Sequence, residues 1–443
     1  MINYLVKLLT IQSQSSYRKA LVAIFLLAFL LRVGYVIFQY QSSAVNGGFV
    51  TGDGALYLKL SSNFSAGKGF SLNDTPTDWI MPGYPLFLSA CAKLFGSGTQ
   101  SVSIVQCVLG ALACVLIAAM AAKLFGNAVG VIAGLLAATY YELIIWTSGI
   151  IMTEPIYVFL IALSLYLLVT ARQSDQKKHL WWLAASGTSF GLAALVRPPA
   201  FLTAMSMAAL LAAQVLIQGL NGKSLGNLVR PFIFGGCCLL VLIPWGIRNR
   251  LRLGEFLLVS TESGYVLWLG NNPGYDRLGF SKQTGYPTMF PPLPESAGKS
   301  EIEINHIHRQ ASFEYIREEP LRWLERAFYK LWNTWRPVFI KSSMLRRMMG
   351  YTLYPVLLGL ALAGAALSIR NFDHTWPLLA FVVINLLLVS AITGEIRFRF
   401  PLWPALIPFS AFAVSRLIDN ISRKKGAVQP QSAHVPELAP LTN

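Results

Sequence analysis

The chain has 443 residues, 54% of them hydrophobic and only 13% charged, with a mean hydropathy of +0.53, where a soluble domain carries about 25% charge. This shortage of charge excludes an ordinary soluble enzyme and points to an integral membrane protein. The net charge of +16 does not signal nucleic acid as a partner, because many basic residues sit in short loops between apolar runs, where Lys and Arg mark the cytoplasmic side.

In chain order, residues 20–40 form the first expected span, preceded by Lys7, Arg18 and Lys19, which place the N-terminus in the cytoplasm. Ser42 and Ala44 loosely resemble a cleavage site, but the apolar run is long and many spans follow, so an uncleaved anchor is expected. Residues 41–83 then make a first external loop holding Asp53, Tyr57, Lys59, Lys68, Asp74 and Asp78. The run 84–96 is too short to span and belongs at the interface. Further spans are expected at 101–123, 128–147, 155–171, 181–196, 200–220 and 231–247, with the basic loop "ARQSDQKKHL" on the cytoplasmic side. Cys91, Cys107, Cys114, Cys237 and Cys238 lie in or beside these runs and read as packing residues, with neither a disulfide framework nor zinc spacing.

Residues 248–345 are the one long hydrophilic stretch and hold about half of the acidic residues. They read as a small external domain, α/β or mainly α. Its first part, with "LGNNPGYDRLG" and "MFPPLP", suggests loops with short strands. In its second part, Leu321, Leu324, Phe328, Leu331 and Trp335 recur at helical spacing after Pro320, which fits a helix start. Final spans near 348–369, 376–393 and 400–418 return the chain to a cytoplasmic, disordered tail. The expected fold is therefore an all-α polytopic membrane protein with about ten spans, without an internal repeat. The expected organisation is an N-terminal transmembrane module at 1–247, the external domain at 248–345, C-terminal spans at 346–420 and a tail at 421–443.

This topology gathers ionisable residues from distant segments on one face: Asp53; Glu154 in "IIMTEPIY"; Arg197 in "LVRPPA"; Arg248 and Arg250; and Glu395, Arg397 and Arg399 in "GEIRFRFP". Charges at membrane edges are costly and often functional. The carboxylates can take a proton, and the guanidiniums can hold a phosphate. Each also has a plain reading. Asp53 can cap a turn, Tyr57 can be an interfacial tyrosine, Glu154 can open a helix before Pro155, Arg197 and Arg248 can reach for headgroups, and Glu395 with Arg397 can be a structural ion pair. Glu142 is a rival acid near the outer end of its span. His306 and His308, two residues apart on an expected helix, face different ways and do not suggest a metal site.

The ordered landmarks "GDGALYLKLSSNFSAGKGF…MPGYPLFLSACAKLFG", "MTEPIYVFLIALSLYLL", "GLAALVRPPAFL", "PWGIRNRLRLGEFLLVSTESGYVLWLGNNP" and "EIRFRFPLWPAL" resemble those of the GT-C membrane glycosyltransferases, the group of protein mannosyltransferases and lipid A aminoarabinose transferases. The likeness runs through nearly the whole chain. It implies a polyprenyl-phosphate-linked sugar donor, a lipid, glycan or protein acceptor, and a site on the periplasmic face of a bacterial inner membrane. By position, Asp53 is then the general base of a single inverting displacement. Arg248 is the first choice for the leaving phosphate, Arg197 and Arg397 are the second choices, and Tyr57 and Glu154 position the acceptor or, for Glu154, a divalent ion. Metal dependence differs among relatives and stays open. One departure is that relatives carry Lys or Arg before the "PGYP" stretch, where this chain has Ile80 and Met81 before Pro82. Other readings of the sequence are a transporter or lipid flippase, which favours midplane charges and internal repeats, and a noncatalytic envelope assembly protein.

Overall fold

A computed structural model describes residues 13–46, 52–96, 98–149, 151–220, 225–273, 293–337 and 344–424. Lys7, most of the "MFPPLP" stretch and all of the tail beyond residue 424 lie outside the described residues. The long helices are α1 (Gln14–Asn46), α4 (Thr99–Phe125), α7 (Glu154–Arg172), α8 (Gln176–Val196), α9 (Pro199–Leu220), α10 (Val229–Leu253), α14 (Met344–Leu367), α15 (Phe372–Ala391) and α16 (Trp403–Lys424). Shorter ones are α2 (Asp53–Ser65), α3 (Gly83–Phe95), α5 (Asn127–Thr139), α6 (Tyr141–Trp146), α11 (Glu262–Gly270), α12 (Glu301–Glu318) and α13 (Pro320–Trp335). One small antiparallel hairpin pairs β1 (Ser71–Leu72) with β2 (Thr75–Pro76).

All ten expected spans are helical, and eight helices among the described residues are long and apolar enough to cross a membrane. The other two fall short for separate reasons. The run 128–147 breaks at Tyr140, whose backbone is extended (φ −68°, ψ 115°), into α5 and α6. In α8, the polar start "QKKH" and the mid-helix run "SGTS" dilute the apolar residues.

Because lipid offers no hydrophobic drive between helices, close packing uses small side chains. A Cβ on Gly130 of α5 would sit 2.8 Å from the Ala118 carbonyl of α4, and one on Gly187 of α8 would strike the Phe234 carbonyl of α10. Arg32, fully buried in α1, is satisfied without an acid: Nε donates to Thr147 at 2.9 Å, one terminal nitrogen to the Ala28 carbonyl at 3.1 Å, and the other approaches the Cys114 sulfur at 3.5 Å. Of the cysteines, Cys237 is half-buried and the other four are buried, and all five are free, as packing residues should be.

Residues 41–83, expected as a first external loop, contain α2, which begins at Asp53, and the hairpin. Likewise the expected loops and strands after α10 contain the helix α11. Pro320 does open α13, at its first turn. However, that helix turns Leu321, Leu324 and Phe328 outward, leaves Leu331 and Trp335 half-buried, and buries Arg326, Lys330, Asn333 and Thr334.

Candidate active site

The starts of α2 and α7, the end of α8 and the turn before α16 bring distant charges together. Asp53 opens α2 after Gly52, whose positive φ of 53° lets the chain turn into the helix. Its side chain is 47% exposed, and Oδ2 accepts a hydrogen bond from an Arg397 terminal nitrogen at 3.0 Å. Arg397 lies in a 3-10 turn, Ile396–Leu402, and its Nε also pairs with Glu395 at 2.7 Å.

Glu154, fully buried at the start of α7, pairs with Arg197 at the end of α8 at 2.7 Å. Arg197 and Arg397 flank one ring: their guanidinium carbons lie 5.5 and 5.6 Å from the centre of Phe398. Tyr57, one turn along α2 from Asp53, stacks edge-on against Tyr84 with centroids 5.1 Å apart. Burial and the negative charges of Asp53, Glu154 and Glu262 raise its phenol well above the ordinary range. Asp53, Tyr57, Glu154, Arg197 and Arg397 are thus a single electrostatic cluster.

Arg248 belongs to a different structure. One terminal nitrogen donates to the Thr77 carbonyl at 2.8 Å and to Asn249, the other to the Phe70 carbonyl at 2.7 Å, while the guanidinium lies over Trp245 at 4.7 Å. It clamps the first loop onto α10. Buried beside it, Asp78 accepts from Trp245 Nε1 and Asn249 Nδ2, each at 2.8 Å. Burial, and the nearby Glu301 charge, push the Asp78 carboxyl up to about 8 against those two hydrogen bonds. Glu301 joins the clamp by accepting from the Asp78 amide and the Thr77 hydroxyl, both at 2.7 Å, and from Thr261.

Thr261 leads directly into Glu262, an acid that sequence reasoning passed over. The first turn of α11 carries it within charge range of Asp53, Arg397, Arg197 and Glu395. Burial first, then the Asp53 charge, push its carboxyl up to about 7. The available signal was an acid in "STESG" just after the segment that holds Arg248.

Glu142, the rival acid, is spoken for: both its oxygens face Arg399, and they also accept from Tyr140 at 2.8 Å, Tyr141 at 3.2 Å and Trp403 at 3.2 Å. The remaining Arg399 terminal nitrogen donates to the Arg336 carbonyl at 2.6 Å. His306 pairs with Glu255 at 2.9 Å, whereas His308 is buried and bonds the Ile304 carbonyl at 2.7 Å, so the two imidazoles do face different ways.

The cluster fits a phosphate better than a metal. Among the described residues no three His, Cys, Asp or Glu side chains group as metal ligands, and Asp53 and Glu154 are each already matched by an arginine. No step is therefore assigned to a divalent ion. Conversely, Arg197 and Arg397 each keep a terminal nitrogen without a hydrogen-bond partner among the described residues, so each has a donor to offer an anion.

Comparison with known proteins identifies the fold. The model of the dolichyl-phosphate-mannose-protein mannosyltransferase family matches residues 74–247, a stretch that includes Asp78, Glu154 and Arg197 but neither Asp53 nor Arg397. No curated protein matches the chain. Among solved structures, the apo oligosaccharyltransferase of Archaeoglobus fulgidus aligns at 14% identity with a TM-score of 0.56, over 94% of this chain and 53% of that one. ArnT of Cupriavidus metallidurans, bound to undecaprenyl phosphate, aligns at 13% identity with a TM-score of 0.56, over 91% of this chain and 61% of that one. The A. fulgidus oligosaccharyltransferase AglB, in complex with an inhibitory peptide and a dolichol-phosphate, aligns at 14% identity with a TM-score of 0.54, over 93% and 51%. The chain thus spans between half and two thirds of the length of these three structures. With these likenesses running along nearly its whole length, the chain is a polytopic membrane protein of the GT-C fold.

Proposed function

We propose that the protein is a membrane glycosyltransferase that moves a sugar from a polyprenyl-phosphate donor to an acceptor hydroxyl at the membrane surface. The observation that carries this reading is the 3.0 Å pair between the half-exposed Asp53 and Arg397, set beside a second arginine, Arg197. The neighbours' polyprenyl-phosphate ligands, undecaprenyl phosphate on ArnT and dolichol-phosphate on AglB, support the donor class.

In this reading the Asp53 oxygen not bound to Arg397 accepts the acceptor hydroxyl's proton as the hydroxyl oxygen, not the carboxylate, bonds to the anomeric carbon. The bond from that carbon to the lipid phosphate breaks with inversion. Phosphate is a good leaving group, so it needs charge neutralisation more than a proton. Arg397 and Arg197 supply it, while Arg248, whose terminal nitrogens are spent on backbone carbonyls, holds the loop. Tyr57 shapes the acceptor side, and Glu154 fixes Arg197 for the phosphate. The site faces the bacterial periplasm, residues 248–345 form the external domain over it, and the acceptor is a lipid, glycan or protein.

Purified protein in liposomes with a mixed pool of polyprenyl-phosphate sugars tests the proposal. Mass spectrometry should find free polyprenyl phosphate and a glycosylated acceptor formed in step. Neither product in the presence of membrane extracts as acceptor source would overturn it.

A further inference from the structure

Helix α13 inverts the pattern of a soluble amphipathic helix. Leu321, Leu324, Phe328 and Trp332 recur at spacings of three and four on one face, and they are 81%, 50%, 67% and 66% exposed. The opposite face buries charge. Lys330 is fully buried and its ammonium donates to Asn271 at 2.9 Å and to the Ala391 carbonyl at 3.3 Å. Arg326 donates to the Asn272 carbonyl at 2.7 Å. A helix that buries satisfied cations and presents Leu, Phe and Trp is unsuited to water on that side.

Two observations identify what covers it. First, the helix ends against a membrane span: the Trp335 carbonyl at the end of α13 accepts from Tyr354 of α14 at 2.7 Å, and α14 itself exposes Met348, Tyr351 and Val356. Second, aromatic side chains at the end of a helix that meets spans are the composition of the headgroup boundary. We infer that α13 lies in the bilayer interface, its Leu321–Trp332 face seated at the boundary of headgroups and acyl chains.

The placement has a mechanical consequence. Gly394 packs so close that any Cβ would strike the Lys330 carbonyl, and Gly270 is equally tight against Ile392. Asn271 ties the same point by donating to the Ala391 and Ile392 carbonyls at 3.0 and 3.2 Å. The loop that carries Glu395 and Arg397 is thereby bolted to the helix at the lipid surface, which sets its height. The inference stands on burial and on the contact with α14, and holds whether or not the protein transfers sugar.

Nitroxide labels at Leu324→Cys, Phe328→Cys and Trp332→Cys in the full chain, reconstituted in phosphatidylcholine–phosphatidylglycerol vesicles, test it. Gln310→Cys and Glu314→Cys on α12 serve as water-facing references and Val356→Cys as the lipid-facing one; wild-type protein sets the background from its native cysteines. The expected result is collision with dissolved oxygen exceeding collision with an aqueous nickel chelate at 324, 328 and 332, as at 356, and the reverse at 310 and 314. Nickel access at 324, 328 and 332 equal to that at 310 and 314 overturns the inference. So does low access to both reagents, which would mean a protein cover. The three positions are independent and exposed, so failure of one variant to fold leaves the other two decisive.

Discussion

Arg397 and Arg399 stand two residues apart in "EIRFRF", and each meets a carboxylate that is distant in sequence, yet the two pairs differ in kind. The Arg399–Glu142 pair is sealed: each side chain is almost fully buried, and the carboxylate takes additional bonds from two tyrosines and a tryptophan. The Arg397–Asp53 pair is open, with 26% and 47% of its side chains exposed. Saturation marks a staple and spare capacity marks a site, because only unsatisfied donors and acceptors can be offered to a substrate. By this standard Arg248 sits with Arg399.

The sharpest break of this comparison comes from the sealed pair. Arg399→Ala leaves Glu142 as an unpaired buried charge, which costs about 3–5 kcal/mol. Thermal unfolding in detergent should show a large loss of stability, and a melting curve like wild type would remove the staple. Next comes the loop clamp. Arg248→Ala strips donors from the Thr77 and Phe70 carbonyls, at a cost of about 1–3 kcal/mol, yet donor-lipid affinity by titration should stay at the wild-type value. In contrast, Arg397→Lys keeps the charge but loses the planar fork. It should weaken donor affinity while the melting curve barely moves.

The last prediction concerns pH. Glu262 has its carboxyl raised from an ordinary 4.5 to about 7, so between those values the folded protein holds a proton that the unfolded chain has released. Stability from this group is therefore full below about 4.5 and falls as pH rises through 7. Glu262→Gln should flatten that part of the stability-versus-pH curve, as read from melting temperatures across the window. Identical curves for the variant and wild type would remove Glu262 from the cluster.

Much of this was legible in the sequence because the bilayer imposes length and apolarity on each span. The same constraint made the alternation of ends predictable, and with it the convergence of Asp53, Glu154, Arg197 and Arg397. The partner of each arginine was not legible. Arg248 and Arg397 have equal chemistry in the sequence, and their difference lies in the Thr77 and Phe70 carbonyls that happen to face one of them. Asp78 and Lys330 were hidden for the same reason, since their partners are buried groups far along the chain. Helical spacing located Leu321, Leu324 and Phe328 of the apolar stripe of α13 but continued it through Leu331 and Trp335, which are half-buried, where the exposed residue is Trp332, and periodicity does not say whether a stripe faces protein or lipid.

The central claim, that Asp53 takes the acceptor's proton, is tested most directly with Asp53→Asn in liposomes, measuring sugar transfer and thermal unfolding on the same preparation. The account predicts a protein that inserts and melts like wild type but transfers sugar more slowly by a factor on the order of 10² to 10⁴. A correctly folded Asp53→Asn protein with full transfer activity would contradict it.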